Sequence, residues 1–268
     1  MNGSIFEQIA QNAQDMKLEL TPEGAAALAM QKAWSDEQVE AVRDTLLYVK
    51  EQKRLKTVAT LLRLSRLPLK DPKTFENFDF GQLKSEQMDA LKELSQLAPL
   101  YAHRNLAFIG PQGVGKTHLA MAFGRACCEA GYKAYFLKAT QLHEKFRDAL
   151  KLGKEASTIT GLVKPSCLII DEVGRCVFDK METRMFFDVI DRRYNKDGPT
   201  TTILTSNLEP AQWGEFFSED SSLLCTLDRI FDTATVFLIK GESYRGRNCR
   251  TVKMTAGQAP ALPGSETK

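Results

Sequence analysis

The sequence predicts an α/β fold: a mostly parallel, five-stranded sheet with helices on both faces, preceded by a small helical N-terminal domain. Five short apolar runs predict the strands, at residues 105–110, 133–138, 166–171, 201–206 and 234–239. Amphipathic stretches of helical length separate these runs, an alternation typical of parallel strands joined by helical crossovers. Residues 1–70 are predicted to be helical.

Residues 1–70 contain two helix starts that are recognisable from their capping residues. Thr21 is followed by Pro22, which suits the first position of a helix, and Ser35 with Gln38 fits a capping box. A later basic stretch places apolar residues on one helical stripe beside arginines. We therefore expect residues 1–70 to fold as a helical domain that contacts a partner protein or DNA.

Charge is polarised within this N-terminal domain, although the whole chain has a net charge of only +2. Residues 1–48 carry eight acidic and three basic side chains, whereas residues 49–70 carry seven basic and one acidic. A nucleic-acid surface and a solvated basic helix face explain the second segment equally well.

The rest of the chain divides into a linker at residues 71–84, an α/β domain at 85–250 and a disordered tail at 251–268. Pro68 and Pro72 mark the start of the linker, since proline ends a helix. No apolar run approaches the roughly 20 residues that a membrane helix needs, and the N-terminus lacks the features of a signal peptide. We expect a cytoplasmic protein without membrane contact.

A glycine-rich loop follows the first predicted strand and precedes a helical stretch. The segment GPQGVGKT matches GxxxxGK[ST] in the strand–loop–helix context that a phosphate-binding loop requires. Glycines let backbone N–H groups wrap phosphate oxygens, and the helix N-terminus adds partial positive charge. Lys116 is expected to reach the outer phosphates and Thr117 to ligate Mg²⁺. The residues expected to contact the nucleotide are Gly110, Pro111, Gln112, Gly113, Val114, Gly115, Lys116, Thr117 and His118.

Two adjacent carboxylates, Asp171 and Glu172, end the apolar run CLII. Because ligands bind outside the carboxyl ends of parallel strands, this pair should lie beside the phosphate-binding loop. Asp171 is expected to hold Mg²⁺ with Thr117, and Glu172 to orient or deprotonate a water for attack on the γ-phosphate. Alternate residues of a strand face opposite ways, which would separate the two roles. A solvated strand end is the alternative for Glu172.

Two further polar residues belong to the predicted site. Asn207 follows the run TTILTS and is suited to polarise the attacking water or sense the γ-phosphate, although asparagine at a strand end is also a common turn residue. Arg229 precedes the last run, and two roles remain open for it. It either pairs with Asp228 or Asp232 in its own subunit, or reaches a neighbour's nucleotide as an arginine finger.

Seven blocks occur in a fixed order: KTFENFDF, IGPQGVGKTHLAMAFG, LIIDEVG, FFDVIDRRY, TSNLEPAQWGEFF, LDRIF and IKGESYR. They resemble the IstB-like AAA+ ATPases, helper proteins of insertion-sequence transposition, and more distantly the DnaC-type helicase loaders. The resemblance implies a P-loop NTPase domain of the AAA+ type, with ATP sandwiched between subunits of a homo-oligomer. By position it implies Walker A at Lys116 and Thr117, Walker B at Asp171 and Glu172, sensor 1 at Asn207, a trans-acting finger at Arg229 and sensor 2 at Arg245.

The chain departs from the wider AAA+ pattern at both ends. Little sequence follows the last apolar run, so the usual helical lid is expected to be reduced or absent. No block matches in the first fifty residues, the region that the resemblance implicates in contacts with a transposase or helicase.

Basic residues in the insert between the second and third runs are candidates for DNA contact. They are Lys145, Arg147, Lys151 and Lys154. The resemblance implies that this region faces DNA, and phosphate contacts would give binding to double-stranded DNA with little sequence preference. Glu144 and Asp148 interrupt the basic run, so a solvated helix of mixed charge is the alternative.

The expected function is a DNA-stimulated ATPase that uses ATP and Mg²⁺, assembles on DNA, and recruits or activates a transposase. A loader of a replicative helicase shares the same ATPase chemistry and is the near alternative. An ATP-gated, DNA-binding scaffold with negligible turnover is the alternative from another class, but such a switch would not require Glu172, Asn207 and Arg229.

Overall fold

The computed structural model of the protein describes residues 4–84 and 88–218, together with 230, 232 and 234–241. In chain order the described helices are α1 (Ile5–Asp15), α2 (Pro22–Gln31), α3 (Asp36–Leu64), α4 (Met88–Glu93), α5 (Ala98–Tyr101), α6 (Lys116–Glu129), α7 (Ala139–Leu152), α8 (Glu155–Val163) and α9 (Lys180–Tyr194). The described strands are β1 (Leu83–Lys84), β2 (Leu106–Ile109), β3 (Ala134–Lys138), β4 (Cys167–Val173), β5 (Thr201–Ser206), β6 (Thr235–Leu238) and β7 (Lys240–Gly241).

Five parallel strands form the central sheet in the order β3-β4-β5-β2-β6. Each predicted apolar run overlaps one of these strands, so the predicted sheet is confirmed, although β4 extends two residues beyond its run to Val173. Successive residues of β2 enter two different cores: Leu106 and Phe108 pack with α6, whereas Ala107 and Ile109 pack with α7 and α9. Helices therefore cover both faces, as predicted. The strands β1 and β7 form a separate antiparallel pair.

The N-terminal helices begin where their capping residues indicate. The Thr21 side chain accepts a hydrogen bond from the Gly24 N–H, and Ser35 and Gln38 form a capping box at the start of α3. Helices α1 and α2 pack against the first part of α3 around a small apolar cluster of Ile9, Ala25, Ala29 and Val39.

The C-terminal end of α3 attaches this helical region to the sheet. Leu62 and Leu67 belong to the same core as Phe123 of α6. The Phe136 N–H of edge strand β3 donates to the Ser65 carbonyl (2.8 Å), which satisfies a backbone group that an edge strand would otherwise expose. The α3 end is thereby fixed to a strand of the sheet that carries the site.

At the amino-terminal edge of the sheet, a buried arginine ties β4 to β5. Arg193 of α9 donates to the carbonyls of Pro165 (2.7 Å) and Thr201 (2.6 Å) and to the Thr202 hydroxyl (2.9 Å). Burial lowers the pKa of Arg193 to about 10, so it keeps its charge at neutral pH. The arginine fixes where the two strands begin, and their opposite ends carry Asp171 and Asn207.

No described helix combines the length and the apolar character needed to cross a membrane. The predicted disordered tail and the region of the predicted reduced lid lie outside the described residues.

Candidate nucleotide-binding site

The loop between β2 and α6 adopts a conformation that depends on glycine. Gly115 has φ 94°, and a Cβ atom there would lie 2.6 Å from the ring of Phe78. A Cβ atom on Gly110 would overlap the backbone oxygen of Ile239. Gly115 precedes the first turn of α6, and no side chain caps that turn. Its backbone N–H groups and helix dipole therefore suit an anion such as phosphate.

Lys116 is buried within this loop and cross-links it to the end of β5. Its Nζ donates to the carbonyls of Gly110 (2.8 Å) and Pro111 (2.7 Å) and to Asn207 Oδ1 (2.8 Å). The structure thus places Asn207 at the phosphate-binding loop, although the two residues are far apart in sequence. A phosphate that attracts Lys116 must compete with these three acceptors.

Asp171 is buried beside the first turn of α6. Its Oδ1 accepts hydrogen bonds from the hydroxyls of Thr117 (2.7 Å) and Thr205 (2.6 Å), while Oδ2 accepts none from the described residues. A carboxylate oxygen and a hydroxyl are the hard oxygen ligands that Mg²⁺ prefers. Thr117 and Asp171 therefore fit a magnesium site, where the ion would neutralise charge on the outer phosphates.

A β-bulge separates the directions of Asp171 and Glu172. Ile170 lies opposite Leu204 and Val173 lies opposite Ser206, so two residues of β4 face the single residue Thr205 of β5. Glu172 has φ 60°, a left-handed conformation that costs a residue with a side chain about 1 to 3 kcal/mol. The two acids are thus separated by a strained bulge and not by plain strand alternation, which was the sequence-based expectation.

Both oxygens of Glu172 face cations. Oε2 lies 3.1 Å from Lys138 Nζ, and Oε1 lies 3.5 Å from Arg175 Nη2. Sequence reasoning assigned neither cation to the site. Lys138 ends β3 directly opposite Asp171, so a comparison of the last residues of neighbouring strands would have found it.

The site opens into a pocket of about 650 Å³. Gln112, Gly113, Gly115, Lys116, Thr117 and His118 line it, together with Glu172, Arg175 and the end of β5. The predicted linker supplies another wall through Lys73, Asn77, Phe78 and Asp79, a contribution that the sequence did not reveal. Val114, also predicted to contact nucleotide, has a fully buried side chain, so only its backbone is available.

His118 fastens the linker to α6. Its Nε2 donates to the Thr74 carbonyl (2.9 Å), and its ring lies edge-on to Phe78 with the centroids 5.0 Å apart. Burial lowers the pKa of His118, which keeps the ring neutral at pH 7. His118 thus borders the pocket while its Nε2 binds the protein's own backbone.

The remaining predicted residues lie away from this pocket or outside the described part. Arg147, Lys151 and Lys154 are exposed on α7 and the turn after it, and Lys145 is half-buried. None of the four lines the pocket. Arg229 and Arg245 lie outside the described residues. Of the residues described, no group of histidine, cysteine and acidic side chains is arranged to hold another metal ion.

Known proteins resemble this chain in fold and in sequence. A crystal structure of the DnaC helicase loader superimposes with a TM-score of 0.51 and 19% identity, over 63% of this chain and 97% of that one. The match shows that the two proteins share a fold. An insertion sequence IS5376 putative ATP-binding protein from Geobacillus stearothermophilus is 38% identical over 74% of this chain and 77% of its own length.

The insertion sequence IS21 putative ATP-binding protein from Pseudomonas aeruginosa is 36% identical, over 69% of this chain and 68% of its own length. Residues 12–252 match the family model described as IstB-like ATP binding protein. That match spans both the helical N-terminal region and the sheet with its phosphate-binding loop. The chain therefore belongs to the IstB-like family of ATP-binding proteins.

Proposed function

We propose that this protein is a DNA-stimulated ATPase that assembles on double-stranded DNA and recruits or activates a transposase. The observation that carries the proposal is the convergence of Lys116, Thr117, Glu172 and Asn207 on one pocket, with the buried Asp171 bonded to Thr117. Relatives named as insertion-sequence ATP-binding proteins support a role in transposition. ATP turnover is the step that distinguishes the proposed ATPase from an ATP-gated scaffold.

Hydrolysis is assigned to Glu172 because it lines the pocket directly after Asp171 and does not share the buried Thr117–Asp171 contact. A general base must be within reach of the water that it deprotonates, so its carboxylate oxygens must be accessible. In this structure both oxygens face Lys138 and Arg175. Arg175 also borders the pocket, so ATP phosphates are placed to compete with Glu172 for it. Nucleotide binding would thus help to release the base.

Asn207 is proposed to act on the γ-phosphate or the attacking water after Lys116 turns to the phosphates. The contact between them in the present structure gives the buried Lys116 ammonium group a partner in the exposed side chain of Asn207. Arg229 is proposed to act on the ATP of a neighbouring subunit and Arg245 on that of its own, which would make turnover depend on a homo-oligomer.

DNA contact is proposed for the exposed basic side chains of α7 and of the turn after it. Exchanging Arg147 and Lys151 for glutamine should weaken binding of duplex DNA. Each lost phosphate contact lowers the number of counterions that the DNA releases when the protein binds. The slope of log affinity against log salt should become shallower by about 1.8 for two contacts. Fluorescence anisotropy with labelled DNA of several sequences at increasing salt measures this slope.

Lys92 is an exposed lysine of α4. The variant Lys92→Gln is the matched control and should leave the slope unchanged. An unchanged slope in the Arg147 and Lys151 double variant would contradict the assigned DNA surface. Electron microscopy of the wild-type protein with DNA and a slowly hydrolysed ATP analogue tests the assembly itself. A protein that stays monomeric and off the DNA under those conditions would contradict the assembly.

A loader of a replicative helicase remains the second candidate function. The resemblance to the DnaC structure concerns the fold alone at 19% identity, whereas the relatives at 36% and 38% identity carry insertion-sequence names. A neighbouring transposase gene supports the proposed function, and a neighbouring replication gene supports the loader.

A further inference from the structure

Thr205 occupies the one position in β5 that faces both acids of the site. The register of β4 against β5 is regular up to Ile170 and Leu204 and resumes at Val173 and Ser206. Thr205 is the only β5 residue between these two pairs, and its side chain is buried. A bulge normally leaves its extra residue without a hydrogen bond in the strand ladder. At this bulge a side chain must therefore satisfy polar groups that the backbone ladder does not pair.

The Thr205 hydroxyl makes both missing connections. It donates to Asp171 Oδ1 (2.6 Å) and accepts from the Glu172 backbone N–H (3.0 Å). A hydroxyl offers one donor and two acceptor positions, so a single threonine binds the Asp171 carboxylate and the Glu172 backbone N–H at once. Valine has the same shape and supplies neither bond.

Thr117 is the second residue whose hydroxyl donates to Asp171 Oδ1, but under the proposed function this hydroxyl is a ligand of Mg²⁺. Thr205 is then the described side chain that still orients the carboxylate. The same hydroxyl holds the Glu172 backbone in its left-handed conformation, where φ is 60°.

We propose that Thr205 is a positioning residue, which sets the Asp171 carboxylate for Mg²⁺ and the Glu172 backbone for water activation through one hydroxyl. The inference rests on the proposed ATPase function. It assigns Thr205 no role in the chemical step itself, because its hydroxyl is bonded to the Asp171 carboxylate and the Glu172 backbone.

The test compares Thr205→Val with Thr205→Ser and with Thr201→Val. Thr201 is an equally buried threonine of β5 whose hydroxyl donates to the Arg104 carbonyl (2.7 Å), at the opposite end of the strand. Titration of a fluorescent nucleotide with and without Mg²⁺ measures how much the ion strengthens binding. Steady-state phosphate release and thermal unfolding are measured on the same samples.

In Thr205→Val, the gain in nucleotide affinity from Mg²⁺ should fall about 10-fold and turnover about 10- to 100-fold, the usual effect of losing a group that orients a metal ligand. Thr205→Ser should restore both values. Thr201→Val should lower the unfolding temperature but keep both values. Should Thr205→Val fail to fold, Thr205→Cys replaces it, because a thiol is only a weak donor and acceptor.

The inference is overturned if Thr205→Val, or Thr205→Cys in its place, keeps the wild-type Mg²⁺ dependence, or if Thr201→Val loses as much of it. Failure of the proposed function looks different. A wild-type protein without turnover removes the ATPase proposal, and the Mg²⁺ titration then decides the role of Thr205 by itself.

Discussion

Replacing Lys116 by alanine is expected to weaken ATP binding by about 100-fold, the effect of losing charged hydrogen bonds worth up to about 3 kcal/mol. The ammonium group is the one charged donor that the described structure places inside the phosphate-binding loop. Its loss also leaves Asn207 Oδ1 and two loop carbonyls without their donor. Titration calorimetry with ATP and Mg²⁺ measures the affinity.

Lys133→Ala is the matched control, because Lys133 directly precedes β3 at the opposite edge of the sheet. Its affinity for ATP should equal that of the wild-type protein. Wild-type affinity in Lys116→Ala would mean that the nucleotide does not occupy the loop.

Replacing Glu172 by glutamine should lower ATP turnover by about 100- to 10,000-fold, the usual range for loss of a general base. The amide cannot accept a proton from water, whereas it keeps the size of the side chain. ATP affinity should be retained, because Lys116 and the loop glycines are unchanged. Phosphate release at saturating ATP, together with an ATP-binding titration, separates the two effects.

Glu129→Gln serves as the control carboxylate, since Glu129 lies at the far end of α6 and pairs with Arg125 (2.9 Å). It should hydrolyse ATP at the wild-type rate. Glu172 would lose its assigned role if Glu172→Gln also turned over at that rate while binding ATP normally.

The positions of the strands could be predicted because each contains a short run of aliphatic or aromatic residues between stretches of helical length. The apolar residues around Leu168 and Ile203 lie in neighbouring inner strands of the sheet and are fully buried, which is why the runs there stand out in the sequence. The helix starts at Thr21 and Ser35 could also be predicted, since capping depends on residues within one turn. Local chemistry sufficed for these elements.

The details of the site depend on contacts between distant segments. Nothing in the sequence IIDEVG shows that Glu172 is left-handed, because the bulge is defined by the register against β5. The role of the linker was equally hidden. Its Thr74 carbonyl meets His118 across a separation of 44 residues, and the residues around it have the composition of an ordinary connection.

The pairing of Glu172 with Lys138 and Arg175 could be predicted from the sequence only in part. Arg175 is three residues from Glu172, which is close enough for sequence reasoning to notice the charge but not to decide its partner. Lys138 required the order of the strands, since β3 and β4 are neighbours in the sheet. Both cations pair with Glu172 in this structure, an interaction that the sequence motif alone does not predict.

Phosphate release by the wild-type protein, with Mg²⁺ and ATP and with or without duplex DNA, tests the central claim most directly. The account predicts measurable turnover that increases when DNA is added. Tight ATP binding with no phosphate release in either condition would contradict it, and would instead support an ATP-gated scaffold.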